Sequence, residues 1–221
     1  MPARLSRPLL LGHRGARISD SRIPENTFAA FDLALQEGCD GFEFDVRCTR
    51  DGRLLICHDP EFMGRRVANA DYCDFQPSGL CLEDVLTRYA STAFLDIELK
   101  VPEMHHAVIA ALQHNPPQRG YFVSSFHPEA IVEIEASNAA VPLGFICDKK
   151  KELDRWRSLP VQFVVPQQKL VTRELIEEIH AKGKQVFVWT VNDKRDMLRL
   201  AEWGVDALIS DNPDVVRETF R

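Results

Sequence analysis

The feature that most constrains the fold of this 221-residue chain is a regular alternation of short apolar strands with helical segments. Eight strands are predicted, and each except the last is followed by a helical segment. Eight β/α units in one domain are typical of a closed parallel barrel, whereas an open doubly wound sheet rarely needs so many. We therefore predict an α/β fold, a (β/α)8 TIM-type barrel, with residues 1–221 as a single domain. The predicted strands run through Leu9, Phe42, Phe94, Phe122, Gly144, Phe163, Val186 and Ala207.

One segment interrupts the alternation. Residues 60–81 carry Pro77, Gly79 and scattered charges without apolar periodicity, which predicts a short surface loop after the second strand. Later in the chain, Lys150–Arg157 is predicted to be helical, and Ala207–Ile209 is predicted to be the last strand.

Two of the predicted strands carry acidic side chains on one face. Apolar residues alternate with Glu43 and Asp45 in the second strand, and with Asp96, Glu98 and Lys100 in the third. On a solvated sheet face these carboxylates would cost little free energy, but burying them without partners would be strongly unfavourable. Two strands that direct acidic groups to one place favour a site for a hard cation, with Asp96 deeper along its strand in a hydrogen-bonding role.

Basic side chains and histidines follow the same strands. His13 and Arg14 end the first strand, and His58 ends the short apolar run Leu54–Cys57. Because barrel enzymes place their chemistry at the carboxyl ends of the strands, we expect these groups to converge with the carboxylates on one rim. His127 follows another strand and is a minor candidate, while His105, His106, His114 and His180 lie on predicted helices and are expected to be solvated.

The composition excludes several classes of protein. A net charge of −6 without a basic run argues against nucleic-acid binding. No two of the six cysteines are spaced as C-x-x-C, so they are expected to be reduced and to pack as small apolar groups. No stretch is long and apolar enough to span a membrane, and the amino-terminal apolar run is too short for a signal peptide, so we expect a cytoplasmic protein.

Five short motifs in order along the chain resemble those of the glycerophosphodiester phosphodiesterases, and the resemblance covers nearly the whole chain. Each motif is weak alone, but five in the right order are highly specific. They are His13-Arg14-Gly15 followed by Pro24-Glu25-Asn26-Thr27; Glu43-x-Asp45 with His58-Asp59; Ile97-Glu98-Leu99-Lys100; Val188-Trp189-Thr190-Val191-Asn192; and Ser210-Asp211-Asn212-Pro213.

The resemblance implies a metal-dependent hydrolase that releases glycerol 3-phosphate and an alcohol from a small glycerophosphodiester. Glu43, Asp45 and Glu98 would bind the divalent cation, Mg²⁺ or Ca²⁺, and His13 and His58 would form the acid–base pair. The sequence does not distinguish which histidine is the base. Two alternatives remain, a lysophospholipase D type enzyme on the same scaffold and a non-catalytic barrel that binds phosphodiesters.

The resemblance also implies three substrate-binding residues. Arg14 and Lys100 would contact the phosphate; the structural alternative is that they are only ion-pair partners of Glu43 and Glu98. Trp189 would line the pocket for the glycerol, although core packing would equally explain it. The chain departs from the family pattern in a longer loop at residues 16–23 and a shorter segment at residues 61–80, and the second departure bears on substrate preference.

Overall fold

The computed structural model describes residues 7–17, 23–137 and 140–220. Within those ranges the strands are β1 (Leu9–His13), β2 (Gly41–Cys48), β3 (Leu54–Ile56), β4 (Glu61–Phe62), β5 (Arg65–Arg66), β6 (Phe94–Leu99), β7 (Tyr121–Ser125), β8 (Leu143–Cys147), β9 (Phe163–Pro166), β10 (Gln185–Val188) and β11 (Ala207–Ser210). The α-helices are α1 (Phe28–Gln36), α2 (Leu82–Tyr89), α3 (His105–His114), α4 (Pro128–Ala136), α5 (Arg173–Ala181), α6 (Lys194–Trp203) and α7 (Pro213–Phe220).

Eight parallel strands close into a barrel. Their order around the barrel is β1, β11, β10, β9, β8, β7, β6 and β2, and β2 returns to pair with β1. The eight strands are those predicted from the sequence, so the predicted barrel is confirmed. The extent of the domain over all of residues 1–221 stays a prediction.

Apolar side chains pack on both faces of the barrel wall, inside the barrel and between the strands and the surrounding helices. Inside, eight buried residues form one cluster, which includes Leu11, Phe122 and Phe187. Outside, a larger cluster joins the strands to the surrounding helices and includes Phe31, Phe42 and Phe44. Since the lower interior is filled by side chains, the polar groups of the strands lie above it, toward the carboxyl ends.

Local sequence explains how the second strand enters the barrel wall. The Thr27 hydroxyl accepts a hydrogen bond from the Ala30 amide and so caps α1, which packs on β2. β2 then begins at Gly41, where a Cβ would lie 1.9 Å from the carbonyl oxygen of Phe94. Only glycine allows this close approach of β2 to β6.

The excursion after β2 has more local structure than the predicted surface loop. β3 pairs antiparallel with the end of β2, β4 and β5 form a hairpin, and two 3₁₀ helices follow at Val67–Asn69 and Tyr72–Phe75. Together with β3 this segment forms a small separate core of Leu55, Cys57, Val67, Ala70 and Phe75. The excursion is therefore a packed layer outside the barrel.

Two further elements differ from the sequence prediction. The segment after β8 forms a 3₁₀ helix at Leu153–Arg157 in place of the helix expected over Lys150–Arg157. A final helix, α7, follows β11, although no helix was predicted there. Over the part of the chain that the structure describes, no helix combines the length and apolar character needed to cross a membrane.

Candidate active site

The strand register brings the predicted site residues together at the carboxyl rim. In β1 and β2, His13 lies opposite Glu43; in β2 and β6, Asp45 lies opposite Glu98. Neighbouring residues in register on parallel strands point to the same side of the sheet. The barrel therefore directs these four side chains into one space above the apolar interior.

Three buried carboxylates form the centre of the site. Glu43, Asp45 and Glu98 each offer an oxygen atom, and these oxygens lie within 4.8 Å of one another. Among the residues that the structure describes, Glu43 Oε1 is buried without a hydrogen-bond partner. Because an unpartnered carboxylate oxygen in a cluster of like charges is costly, this arrangement fits a hard, oxygen-preferring cation.

Two cationic side chains surround the carboxylates. Lys100 Nζ lies 2.5 Å from Glu98 Oε1 and 2.8 Å from Asp45 Oδ1. Arg14 places Nε 3.3 Å from Asp45 Oδ2 and donates from Nη1 to Glu25 at 2.7 Å. Lys100 is thus paired with Glu98, as the structural alternative expects, whereas the Arg14 side chain pairs with Asp45 and Glu25 and not with Glu43. Both cations lie beside the carboxylate cluster.

Burial sets the proton affinities of the cluster. It raises the pKa of Glu43 well above the ordinary range, and the charges of Asp45 and Glu98 add to this effect. Burial also raises the pKa of Glu98, to about 7, against the opposing charge of Lys100. For Asp45, burial is outweighed by Lys100 and Arg14, so its pKa is lowered. The site thus contains one firmly ionised carboxylate beside two that retain protons more readily.

The two histidines occupy different environments. His13 is 8% exposed, with Nε2 3.8 Å from Glu43 Oε2 and Nδ1 2.7 Å from Asp211 Oδ1. The His58 side chain is 36% exposed, and its Nδ1 lies 2.8 Å from Asp59 Oδ1. Burial and the charge of Lys100 lower the pKa of His58, although Asp59 opposes them. His13 is thus fixed inside the rim, whereas His58 faces a wetter space.

That wetter space is a cavity of about 450 Å³ at the carboxyl end of the barrel. Glu98, Lys100 and His58 line one side of it. The opposite wall comes from the loops after β7 and β8, and the excursion at residues 60–81 contributes no lining residue. The remaining lining side chains are Arg47, Leu99, Phe126, His127, Asp148, Lys149 and Glu152.

Trp189 lies at the mouth of the barrel. Its ring packs edge-on against Phe126 at 5.5 Å and lies 6.5 Å from the His13 ring, while Nε1 donates to the Val165 carbonyl at 3.0 Å. The residue is half-buried, so one part of the indole packs on the interior cluster and the rest borders the site. Core packing and substrate contact are both compatible with this position.

Comparison with known proteins agrees with this geometry. The model of the glycerophosphoryl diester phosphodiesterase family matches residues 13–94 and 96–215, and so covers nearly the whole chain. The chain belongs to this family. The match includes every predicted site residue, and the chain is accordingly an enzyme of the phosphodiesterase class.

Relatives extend over nearly the full length. A glycerophosphodiester phosphodiesterase of Caldanaerobacter subterraneus is 27% identical over 96% of this chain and 98% of its own. The solved structure of an Oleispira antarctica phosphodiesterase, in complex with the product sn-glycerol-3-phosphate, has a TM-score of 0.82 and 25% identity over 96% of each chain. The glycerophosphodiester phosphodiesterase of Agrobacterium tumefaciens has a TM-score of 0.81 and 26% identity, covering 96% of this chain and 98% of its own.

Two residues of the site were not among the candidates predicted from the sequence. Asn26 belongs to the first family motif, and its side-chain amide donates to Asp45 Oδ2 at 2.7 Å. Asp211 belonged to a family motif without an assigned role, yet it contacts His13. In both cases, the only indication in the sequence was a polar residue within one of the family motifs. The deeper Asp96 accepts a hydrogen bond from the Ser124 hydroxyl at 2.5 Å, which agrees with its predicted hydrogen-bonding role.

The prediction that the helical histidines are solvated was partly wrong. His105 Nδ1 lies 3.1 Å from Glu133 Oε2, and His180 Nε2 lies 2.7 Å from Asp206 Oδ2. Both are partly covered, because each packs near an acidic residue of a neighbouring element. His180 lies on α5 at the amino end of the barrel, away from the cavity.

Proposed function

We propose that this protein hydrolyses glycerophosphodiesters to glycerol 3-phosphate and an alcohol. The observation that carries the proposal is the convergence of three buried carboxylates with two histidines, Arg14 and Lys100 at the carboxyl rim of the barrel. The Oleispira relative, solved with sn-glycerol-3-phosphate, supports the choice of substrate. The product leaves with one more ionisable oxygen than the diester, so the site must manage both charge and protons.

Glu43, Asp45 and Glu98 would hold a divalent cation, Mg²⁺ or Ca²⁺, because all three donors are carboxylate oxygens. When bound, the cation would neutralise charge on a non-bridging phosphate oxygen and lower the pKa of a nucleophilic hydroxyl. Asn26 keeps the Asp45 carboxylate in place through its 2.7 Å hydrogen bond. Such supporting contacts typically change metal affinity or activity by about 10- to 100-fold.

Arg14 and Lys100 would bind the phosphate. The Arg14 guanidinium is held by Glu25 and presents a planar set of donors, and Lys100 presents a compact charge at the entrance to the cavity. Both would stabilise the negative charge that accumulates on the phosphate oxygens during displacement. Burial opposes the charge of Lys100, but Glu98 and Asp45 outweigh it and raise its pKa, so the ammonium stays protonated.

His13 and His58 would move the protons. A water or a glycerol hydroxyl attacks phosphorus and gives its proton to one imidazole, while the bond from phosphorus to the alcohol oxygen breaks and that oxygen takes a proton from the other. If the glycerol hydroxyl attacks first, a cyclic phosphate forms and water opens it in a second, similar step. Each proton transfer is typically worth about 10²- to 10⁴-fold in rate.

The glycerol would lie against Trp189 and the alcohol would extend into the cavity of about 450 Å³. Asp148 and Glu152 on the far wall are acidic and Lys149 beside them is basic, while the basic Arg47 lies on the side of His58. Because both signs of charge line the cavity, strong selection for one head-group charge is not expected. The cytoplasmic location expected from the sequence stays a prediction.

The direct test is to incubate the protein with glycerophosphocholine and Mg²⁺ or Ca²⁺ and to assay glycerol 3-phosphate. Activity should disappear in EDTA and return with the cation. The Glu98→Gln variant should need far more cation for the same rate, while Glu103→Gln, an exposed neighbour, should behave as wild type. Undiminished turnover in metal-free buffer would refute the metal assignment, and no release of glycerol 3-phosphate would refute the substrate.

A further inference from the structure

Asp211 lies where the last barrel strand meets the first. β1 and β11 are paired with Gly12 opposite Ser210, so the next residues, His13 and Asp211, leave the two strands side by side. His13 Nδ1 is 2.7 Å from Asp211 Oδ1, although the two residues are 198 positions apart in sequence. The contact is therefore a product of barrel closure.

The Asp211 carboxylate is itself held from several directions. Asn192, which follows β10, donates from Nδ2 to Asp211 Oδ2 at 2.7 Å and accepts the Asp211 amide at 2.9 Å. The Ser210 hydroxyl donates to the same Asn192 oxygen at 3.1 Å. Arg17 adds a 3.4 Å contact from Nη1 to Asp211 Oδ1. These bonds leave the carboxylate little freedom to turn away from the imidazole.

Asp211 stays ionised at neutral pH. Burial alone would raise its pKa, but the hydrogen bonds from His13 and Asn192 and the charge of Arg17 lower it. An ionised carboxylate only accepts hydrogen bonds, so the His13 nitrogen that faces it must carry a proton. The opposite nitrogen, Nε2, then faces Glu43 at 3.8 Å and is the atom that can gain or lose a proton.

We propose that Asp211 is a positioning residue, which fixes His13 with its proton on Nδ1 and with Nε2 directed into the carboxylate cluster. Proton exchange with the substrate then takes place at Nε2 in every turnover. Without Asp211 the ring can take the other tautomer or rotate, and Nε2 is no longer available. The catalytic consequence rests on the proposed function, whereas the tautomer of His13 does not.

His180 and Asp206 offer a matched control. Their nitrogen–oxygen distance is also 2.7 Å, and the Asp206 carboxylate is also held by a second donor, the Val186 amide, at 2.8 Å. This pair lies at the amino end of the barrel, far from the chemistry. Asp206→Asn and Asp211→Asn thus break the same kind of contact at opposite ends of the fold.

The test has a spectroscopic arm that needs no substrate. Two-bond ¹H–¹⁵N correlation spectra of histidine-labelled protein, assigned with a His13→Ala sample, should show His13 as the Nδ1–H tautomer or as the doubly protonated ring. In Asp211→Asn the amide can donate to Nδ1, so a shift toward the Nε2–H form is expected. An Nε2–H form of His13 in the wild-type protein would overturn the proposal, even if no Asp211 variant folds.

The kinetic arm uses glycerophosphocholine. Asp211→Asn should lower kcat by about 10²-fold or more with KM within about threefold, since a wrong tautomer impairs proton transfer more than binding. Asp211→Glu should recover part of the loss, Asn192→Ala should show a smaller loss, and Asp206→Asn should keep kcat within about twofold of wild type. A kcat of Asp211→Asn within about threefold of wild type, or a large loss with the His13 tautomer unchanged, would overturn the proposal. If wild type hydrolyses no glycerophosphodiester, the proposed function fails and the tautomer is still decided by the spectra.

Discussion

Replacing Glu98 by glutamine separates the electrostatic cost of the carboxylate cluster from its chemistry. Glu98 is 6% exposed, and burial raises its pKa from the ordinary 4.5 to about 7 despite the opposing charge of Lys100. At about 1.4 kcal/mol per pKa unit, ionising this carboxyl group in the metal-free protein costs roughly 3 kcal/mol of folding free energy. Glutamine keeps the shape of the side chain and removes the titration.

The direction of the pH dependence follows from the raised pKa. The folded protein binds this proton more tightly than the unfolded chain does, so the contribution is complete below about pH 4.5 and is lost as the pH rises through about 7. In EDTA, the free energy of unfolding of wild type should therefore fall more steeply between pH 4.5 and 8 than that of Glu98→Gln. The difference between the two proteins over this window should approach roughly 3 kcal/mol.

Urea unfolding followed by circular dichroism at a series of pH values measures this difference directly. Glu103→Gln, at an exposed position in the next segment of the chain, controls for the loss of one carboxylate as such. At a concentration that saturates wild type, Mg²⁺ or Ca²⁺ should restore the stability of wild type at pH 8 and should stabilise Glu98→Gln much less, because the variant binds the cation more weakly. If wild type and Glu98→Gln lose stability in parallel as the pH rises in EDTA, the reasoning about this carboxylate is wrong.

Three further outcomes are expected. His13→Ala and His58→Ala should each lower kcat by about 10²-fold or more. The double variant should be little worse than either single variant, because the two histidines act as one unit. A near-normal kcat in one variant would make that histidine structural. Gly41→Ala should lower the free energy of unfolding in urea by at least about 3 kcal/mol, since the alanine Cβ would lie 1.9 Å from the Phe94 carbonyl oxygen. An unchanged midpoint of the urea unfolding transition would contradict the close approach of β2 to β6. The values of kcat/KM should agree within about tenfold for glycerophosphocholine, glycerophosphoethanolamine and glycerophosphoglycerol. The value for bis(p-nitrophenyl) phosphate should be much lower. A strong preference for one head group or for lysophospholipids would contradict this and would show specific contacts in the far wall.

Much of the barrel was predictable because its strands are encoded locally. Apolar runs ending in polar residues mark β1, β2 and β6, and the alternation within β2 shows that Glu43 and Asp45 share a face. Once eight such strands are assigned, they predict a closed barrel, in which the carboxyl ends of all strands meet at one rim and carry the active site. The acidic and basic residues at those strand ends are therefore expected to lie together. The sequence alone therefore groups the metal-ligand candidates at one end of the barrel.

Other features depend on geometry that no local pattern records. Helix α7 begins at Pro213, and proline is favoured in the first turn of a helix. The helix was not predicted because it follows the last strand, where the alternation of strands and helices does not require another helix. Asn26 reaches Asp45 because its backbone takes the left-handed conformation, with φ of 57°, and composition does not reveal that. Part of the cavity wall comes from the loops after β7 and β8, whose place beside β6 is set by the order of the strands around the barrel and not by any local sequence pattern.

The pairing of β1 with β11 also has a consequence for how the enzyme is made. During synthesis the carboxylates and both histidines leave the ribosome well before β11, which supplies the closing strand and then Asp211. A chain that stops before residue 207 has every metal-ligand candidate but neither a closed wall nor a partner for His13 Nδ1. We therefore expect released translation products ending at residue 206 to yield no glycerol 3-phosphate under conditions in which the full chain does; equal activity would contradict this. Catalysis would thus begin only when the polypeptide is nearly complete, because β1 and His13 need β11 and Asp211 as partners.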